Sequence, residues 1–256
     1  MNQYSHLFLH YGPGGNSEIE RLWLNQYLDK INFFDVPDDC NQFSKITAQY
    51  ESVLDEMTKT GPTSLIGHSF GADVALELAH RFPQKVSEII LVSPMRSLYD
   101  SFVELGKKVS LISPENTALL EAVKEMETNS SSDPEKRAGF FWKFVGEAFK
   151  SPDIFSIYWS DKDQFSKYGG FMQSSKPMNM ESWQAGLNDY LINEPKVYDR
   201  EIKAPVKVIL GESDPYYSQK GELAFWSSKL GKENVHGIPA CGHYPHLEKD
   251  ALKLVL

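Results

Sequence analysis

The segment Gly67-His68-Ser69-Phe70-Gly71 brackets a serine with glycines two residues to either side. A nucleophilic hydroxyl on a sharp strand-to-helix turn needs such spacing, because side chains at those places would collide with neighbouring backbone. The turn thrusts the hydroxyl outward, and the helix N-terminus behind it favours the negative charge that develops in acyl transfer. A glycine-bracketed serine can also simply cap a helix. Here an apolar run (Leu65, Ile66) precedes it and a helix-like stretch, Ala72 to Arg81, follows, which favours the nucleophile.

A serine nucleophile requires a base. Among seven histidines, His243 stands in a loop after the last apolar run, in Cys241-Gly242-His243-Tyr244-Pro245. A loop lets an imidazole shuttle a proton while staying positioned. His246 falls in the first turn of the next helix, and a structural role is expected for His68, on the strained turn. The base in turn needs an acid that holds its tautomer and stabilises the imidazolium. Asp214 suits this in Leu210-Gly211-Glu212-Ser213-Asp214-Pro215, with Glu212 and Asp100 as competitors. The other job open to Asp214 is to cap the helix near Tyr217.

These residues must be positioned by alternating strands and helices. His6 to Leu9 reads as a buried strand entering the tight loop Gly12-Pro13-Gly14-Gly15. A helix capped by Ser17 is expected to run to about Lys30, with Ile19, Leu22, Trp23 and Tyr27 as its apolar stripe. A short strand over Asn32 to Val36, a helix from Phe43 to Lys59, a strand ending at Gly67, a helix to Arg81 and an apolar strand Val86 to Val92 follow. After Pro94 the rhythm breaks. From there to Ala204 the chain carries helical patches, many aromatics and a polar, Ser-rich connection over Thr128 to Pro134. Strand Val206 to Leu210, helix Ser218 to Leu230, strand Asn234 to Ile238 and a last helix from Tyr244 resume the alternation. The expected fold is therefore α/β: a mostly parallel sheet of about six strands flanked by helices. Residues 1–93 and 205–256 form its core, and 94–204 a helical insertion.

The 256 residues suffice for one large α/β domain with an inserted subdomain. A formal net charge of −9 disfavours a nucleic-acid or anionic-membrane surface. No apolar stretch approaches the ~20 residues that cross a bilayer. The segment from Met1 to Gly15 lacks the charged and apolar regions of a secretory leader. Cys40 and Cys241 then read as reduced thiols in a cytoplasmic protein. No internal repeat is visible, and the sequence carries no signal for oligomeric state.

Together the Gly67–Gly71 turn, the segment His10-Tyr11-Gly12-Pro13-Gly14 after the first strand, and the Asp214 and His243 segments resemble the α/β-hydrolase fold family. The resemblance spans essentially the whole chain apart from the insertion. It implies the chain order Ser69, Asp214, His243 for a catalytic triad. It also implies an oxyanion hole from the amides of Phe70 and Gly12. Tyr11 stands where the family's loops carry glycine, and it could itself face the substrate. In relatives an insertion at this place forms a cap. Trp142, Trp159 and Trp183 are its candidates to line an apolar acyl or aryl pocket, although aromatics in a small helical unit can equally be its own core. The cap's basic residues Arg96, Lys107, Lys108 and Lys143 either greet an acidic substrate or form a solvated face.

The expected activity is hydrolysis of a carboxylic ester of a small molecule through an acyl-enzyme. No metal or organic cofactor is called for, because nucleophile and acid–base groups are self-sufficient. Serine at the turn argues against dehalogenase and epoxide-hydrolase chemistry, which in this fold uses aspartate there. No lysine stands near His243 as in related hydroxynitrile lyases. Thioesterase, proline-iminopeptidase-like amidase and carbon–carbon bond hydrolase activities stay open, as does a non-catalytic ligand-binding role on the same scaffold.

Overall fold

The computed structural model describes residues 4–151 and 153–256; Met1 to Gln3, the start of the segment read for a leader, lie outside it. Six strands form one sheet: β1 (His6–Leu9), β2 (Ile31–Phe33), β3 (Thr63–His68), β4 (Val86–Val92), β5 (Val206–Gly211) and β6 (Val235–Ile238). Their order is β2-β1-β3-β4-β5-β6 and every pairing is parallel. The register aligns Leu9 with Gly67, Val92 with Ile209 and Gly211 with Ile238, so the strands' carboxyl ends share one edge. The chain leaves β1 toward β2 on one side and returns to β3 on the other. That reversal opens a crevice beyond the carboxyl ends of β1 and β3, the usual ligand position in open α/β sheets.

Alternation along the strands builds a core on each face. Leu7, Leu9, Leu65, Ile89, Leu91, Val208 and Leu210 point to one face. There they meet Tyr50 and Leu54 of α2 (Phe43–Met57) and Val74 and Leu78 of α3 (Phe70–Arg81). Phe8, Ile66, Ile90, Val92 and Ile209 point to the other face. They pack on Ile19 of α1 (Glu18–Trp23) and on the C-terminal Leu247 and Leu252.

Between β4 and β5 the described residues form no strand, only α4 (Leu98–Ile112), α5 (Thr117–Thr128), α6 (Pro134–Ala148), α7 (Lys162–Ser174) and α8 (Met180–Ile192), with turns and short 3₁₀ segments. Each of these five helices has a side-chain N-cap: Ser97, Asn116, Asp133, Asp161 and Asn179. Each such cap contributes about 1 kcal/mol. The insertion grips both faces of the sheet. Trp23 of α1 packs on Phe171 of α7 at 5.6 Å between ring centroids, and Phe43 of α2 donates its amide to Asp189 of α8 at 2.9 Å. Phe102, Phe141 and Phe144 belong to the same apolar cluster as β5.

Three expected elements differ. The helix after Ser17 ends at Trp23 and continues only as a 3₁₀ turn, Asn25–Tyr27. Ser17 does not cap it: its backbone is not extended, and its hydroxyl has no hydrogen-bond partner among the described residues. The second strand covers Ile31–Phe33 rather than reaching Val36, since only those residues pair with β1. The last helix, α10 (Pro245–Glu248), is a single turn followed by a 3₁₀ turn over Ala251–Leu254. The remaining helix, α9 (Gln219–Leu230), lies where expected. Among the described residues no helix is long and apolar enough to cross a membrane.

Candidate active site

Ser69 sits between β3 and α3 with φ 54° and ψ −121°, a strained conformation for a residue with a side chain. The flanking glycines are required by contact. A Cβ on Gly71 would collide with the Leu9 carbonyl, and one on Gly67 would lie 2.5 Å from the Gly71 carbonyl oxygen. β1, β3 and α3 thus approach too closely for any other residue, and the turn is held by Ser69 N–H donating to the Val92 carbonyl at 2.9 Å.

Asp214 and His243 meet across the same edge. His243 Nδ1 donates to Asp214 Oδ2 at 2.7 Å, with both residues almost completely buried. Asp214 Oδ1 accepts from the Tyr216 amide at 2.9 Å, so the carboxylate also folds its own loop. With Nδ1–H committed to Asp214, His243 presents Nε2 as the basic nitrogen. Ser69 Oγ makes no hydrogen bond among the described residues, nor does His243 Nε2. Neither atom is sealed from the surface. The competitors lie elsewhere: Asp100 is exposed on the first turn of α4, and Glu212 is half-buried beside Gly237.

The loop after β1 carries Gly12 at φ +60°. Neither its amide nor that of Phe70 finds an acceptor among the described residues, which leaves both N–H groups uncommitted. Gly14 packs so tightly on α8 that a Cβ there would lie 2.8 Å from the Trp183 amide nitrogen, and its carbonyl accepts from the Asn179 amide at 2.8 Å. The insertion therefore helps to shape the β1 loop.

The aromatic candidates separate. A Cβ on Gly12 would sit 3.9 Å from Trp183 Cδ1, which places Trp183 over the Gly12 loop. Trp142 stands edge-on to Trp183 at 5.6 Å and donates Nε1–H to Asn188 Oδ1 at 3.1 Å. Trp159 stacks on Tyr244 at 4.9 Å and belongs to the cluster on the α1 side of the sheet. Tyr11 lies 6.1 Å from the ring of His68 and 6.3 Å from that of Tyr244, and burial pushes its hydroxyl pKa up.

Two tyrosines escaped the sequence reading. Tyr216 packs edge-on to His243 at 4.7 Å, and its hydroxyl lies 3.0 Å from that of Tyr158. The available signal was the position of Tyr216 two residues past Asp214. The four basic residues weighed for an acidic substrate are all engaged inside the protein. Arg96 pairs with Glu222, Lys107 with Glu104 and Glu127, and Lys143 with Glu125. Lys108 donates to the carbonyls of Asp214 and Tyr217 at 2.6 and 3.2 Å, bracing the acid loop from α4. Burial lowers its pKa, and the nearby Asp214 charge opposes that shift.

His68 is fully buried and does not face a substrate. Its Nε2–H donates to the His243 carbonyl at 3.0 Å, tying the His243 backbone to the turn. Burial holds the pKa of His68 well below the usual range, with His246 and His243 adding to the shift. Glu248 supports the same loop: Oε2 accepts from the Gly242 amide at 2.8 Å, and Oε1 from the Ser160 and Asp161 amides at 2.9 and 2.8 Å. Cys40 and Cys241 are both free and buried.

Ser69 is 6% exposed, and two open surface clefts, one by Asn16 and Lys176 and one by Phe43 and Arg200, include none of these residues.

Comparison with known proteins gives a consistent result. The family model described as the alpha/beta hydrolase fold matches residues 10–250. A Mycoplasma genitalium protein with an esterase/lipase name is 25% identical over 240 residues, 92% of this chain and 69% of that protein. A proline iminopeptidase-related protein of Thermus thermophilus superposes with a TM-score of 0.63 at 18% identity, covering 99% of this chain and 87% of that one. A thermophilic esterase of Thermogutta terrifontis superposes with a TM-score of 0.55 at 14% identity, covering 98% and 86%. At these identities the two structural likenesses show the fold alone.

Proposed function

The chain belongs to the α/β-hydrolase fold family, and on that premise we propose that it is a cytoplasmic serine hydrolase cleaving carboxylic esters of small molecules. The observation that carries the reading is the buried 2.7 Å bond from His243 to Asp214, at the sheet edge that also holds the strained Ser69. Ser69 Oγ attacks the acyl carbonyl as its proton passes to His243 Nε2. The Gly12 and Phe70 amides hold the oxyanion, worth about 3–4 kcal/mol per donor by analogy with other acyl-transfer sites. Collapse expels the alcohol, which takes the proton from His243. Water, deprotonated by the same nitrogen, then releases the acid and restores Ser69.

The helical insertion, residues 94–204, acts in this reading as a cap. Trp183 and Trp142 near the Gly12 loop, with Tyr11, supply an apolar wall for the acyl or aryl part of the ester, and Trp159 backs that wall through Tyr244.

Exposure to a fluorophosphonate with intact-mass detection tests the reading. A single adduct at Ser69, absent from Ser69→Ala and His243→Ala, is the expected result. An unlabelled wild-type protein sinks it. Ester, thioester and aminoacyl-amide substrates then rank the bonds cleaved.

A further inference from the structure

Behind the strained turn, on the α1 side of the sheet, three side chains converge with no role in the reaction above. Glu20 comes from α1, His68 from the end of β3 and His246 from α10, and each is 0% exposed. One ligand-capable atom from each lies within 4.8 Å of the other two. Glu20 Oε1, Glu20 Oε2, His68 Nδ1 and both nitrogens of His246 lack a hydrogen-bond partner among the described residues. The nearest carboxylate–imidazole approach, His246 Nε2 to Glu20 Oε1, is 4.0 Å, too long for a hydrogen bond.

A carboxylate removed from water without donors is costly, so an interior that keeps one there needs something to neutralise it. The chemistry of the three groups says what. His68 Nε2–H is committed to the His243 carbonyl at 3.0 Å, which fixes the tautomer and leaves the buried Nδ1, with its lone pair, without a partner among the described residues. Proteins orient metal-binding histidines in this way, with the far N–H given to a backbone carbonyl. Two imidazoles and one carboxylate make a donor set favoured by zinc-type ions, whereas magnesium and calcium take oxygen ligands.

We propose that Glu20, His68 and His246 bind one divalent transition-metal ion of the zinc type. Ligand bonds of about 2.0–2.2 Å put tetrahedral donors roughly 3.3 Å apart, so the side chains draw together by on the order of 1 Å around the ion. The ion fastens α1, the turn that bears Ser69 and the segment that bears His243, three pieces distant in sequence. Its role is structural, and no step of ester hydrolysis runs through it.

The test uses the full-length protein, stripped with a chelator, checked for fold by circular dichroism and titrated with zinc or cobalt(II). The expected result is one metal per chain by elemental analysis, the visible absorption of four-coordinate cobalt, and a Tm rise of about 5–10 °C at zinc 100-fold above Kd. Glu20→Gln and His246→Gln should bind at least ~100-fold more weakly, more than the loss of a supporting partner causes. His243→Ala should still bind one equivalent, which separates this site from adventitious capture by the catalytic imidazole. Wild-type protein that takes up less than about 0.1 equivalent with no change in Tm overturns the proposal in favour of a water-filled polar pocket. Undiminished binding by folded Glu20→Gln overturns it as well. Should the ligand variants fail to fold, the wild-type cobalt spectrum decides: its absence at saturating cobalt is equally fatal.

Discussion

The single turn of α10 borders two buried glutamates that the protein treats in opposite ways. Glu248, within the turn, is met by three backbone amides from the His243 loop and the start of α7, and by the Cys241 thiol at 3.5 Å. Glu20, which faces His246 from α1, is met by no donor among the described residues. Backbone N–H groups left over where loops converge make a carboxylate tolerable in the interior, and each charge-assisted bond is stronger than a neutral one. Around Glu20 no amides converge: two imidazoles stand closest to its carboxylate, with Tyr11, Tyr168 and Tyr244 within electrostatic reach, and a cation is then the fitting complement. Asp214 follows the first pattern with the Tyr216 amide and His243. Asp73, in α3, follows a third: it accepts a hydroxyl bond from Tyr190 at 2.9 Å, and burial raises its pKa to about 7.

The comparison can be broken most forcefully at Asp214. Asp214→Asn preserves shape but leaves His243 without the charge that fixes its tautomer, and kcat on an ester should fall by about 10⁴-fold with little change in Tm. A variant retaining more than a tenth of wild-type kcat would remove Asp214 from the proposed triad. Next comes Glu248→Gln, which sets an amide NH₂ against backbone donors and should cost about 3 kcal/mol in denaturant unfolding. Stability equal to wild type would show that the three amide bonds are dispensable.

Asp73 gives an effect of similar size that is spread over pH. Between the usual aspartate pKa near 4 and about 7, the folded chain keeps a proton that the unfolded chain has released. Stability should therefore fall by about 1.4 kcal/mol per pH unit as pH rises through that window, and level off above it. Asp73→Asn should remove this contribution, and a pH–stability profile unchanged by the substitution would contradict it. Smallest of all is Glu20→Gln in chelated protein, expected within about 1 kcal/mol of wild type, because the amide replaces an unpaired charge without losing a bond. A loss as large as that at Glu248 would mean that Glu20 has protein partners after all.

Much of the fold was legible because it rests on local rules. Short, nearly continuous apolar runs mark the strands, and glycines mark the turn at Ser69, where Gly67 and Gly71 permit the backbone to close on Leu9. Inside the insertion only helical patches were legible, and the structure resolves them into five helices begun by the caps Ser97, Asn116, Asp133, Asp161 and Asn179. Less legible were the ends. The stripe that includes Tyr27 looked helical, yet the Tyr27 hydroxyl bonds Asp250 at 3.1 Å, a partner 223 residues away that no local pattern announces.

The sequence by itself determined the alternating α/β order, the helical stretch after β4, and the candidates Ser69, Asp214 and His243 on loops after β3, β5 and β6. Only the tertiary structure decided what surrounds them. It set Tyr216 against His243, turned Lys108 from a surface cation into a brace for the Asp214 loop, and gathered Glu20, His68 and His246 into one pocket. Spacing along the chain encodes which face of a strand or helix a residue occupies. It carries no information on which distant faces meet, because that follows from strand order and from the packing of the insertion across both sides of the sheet.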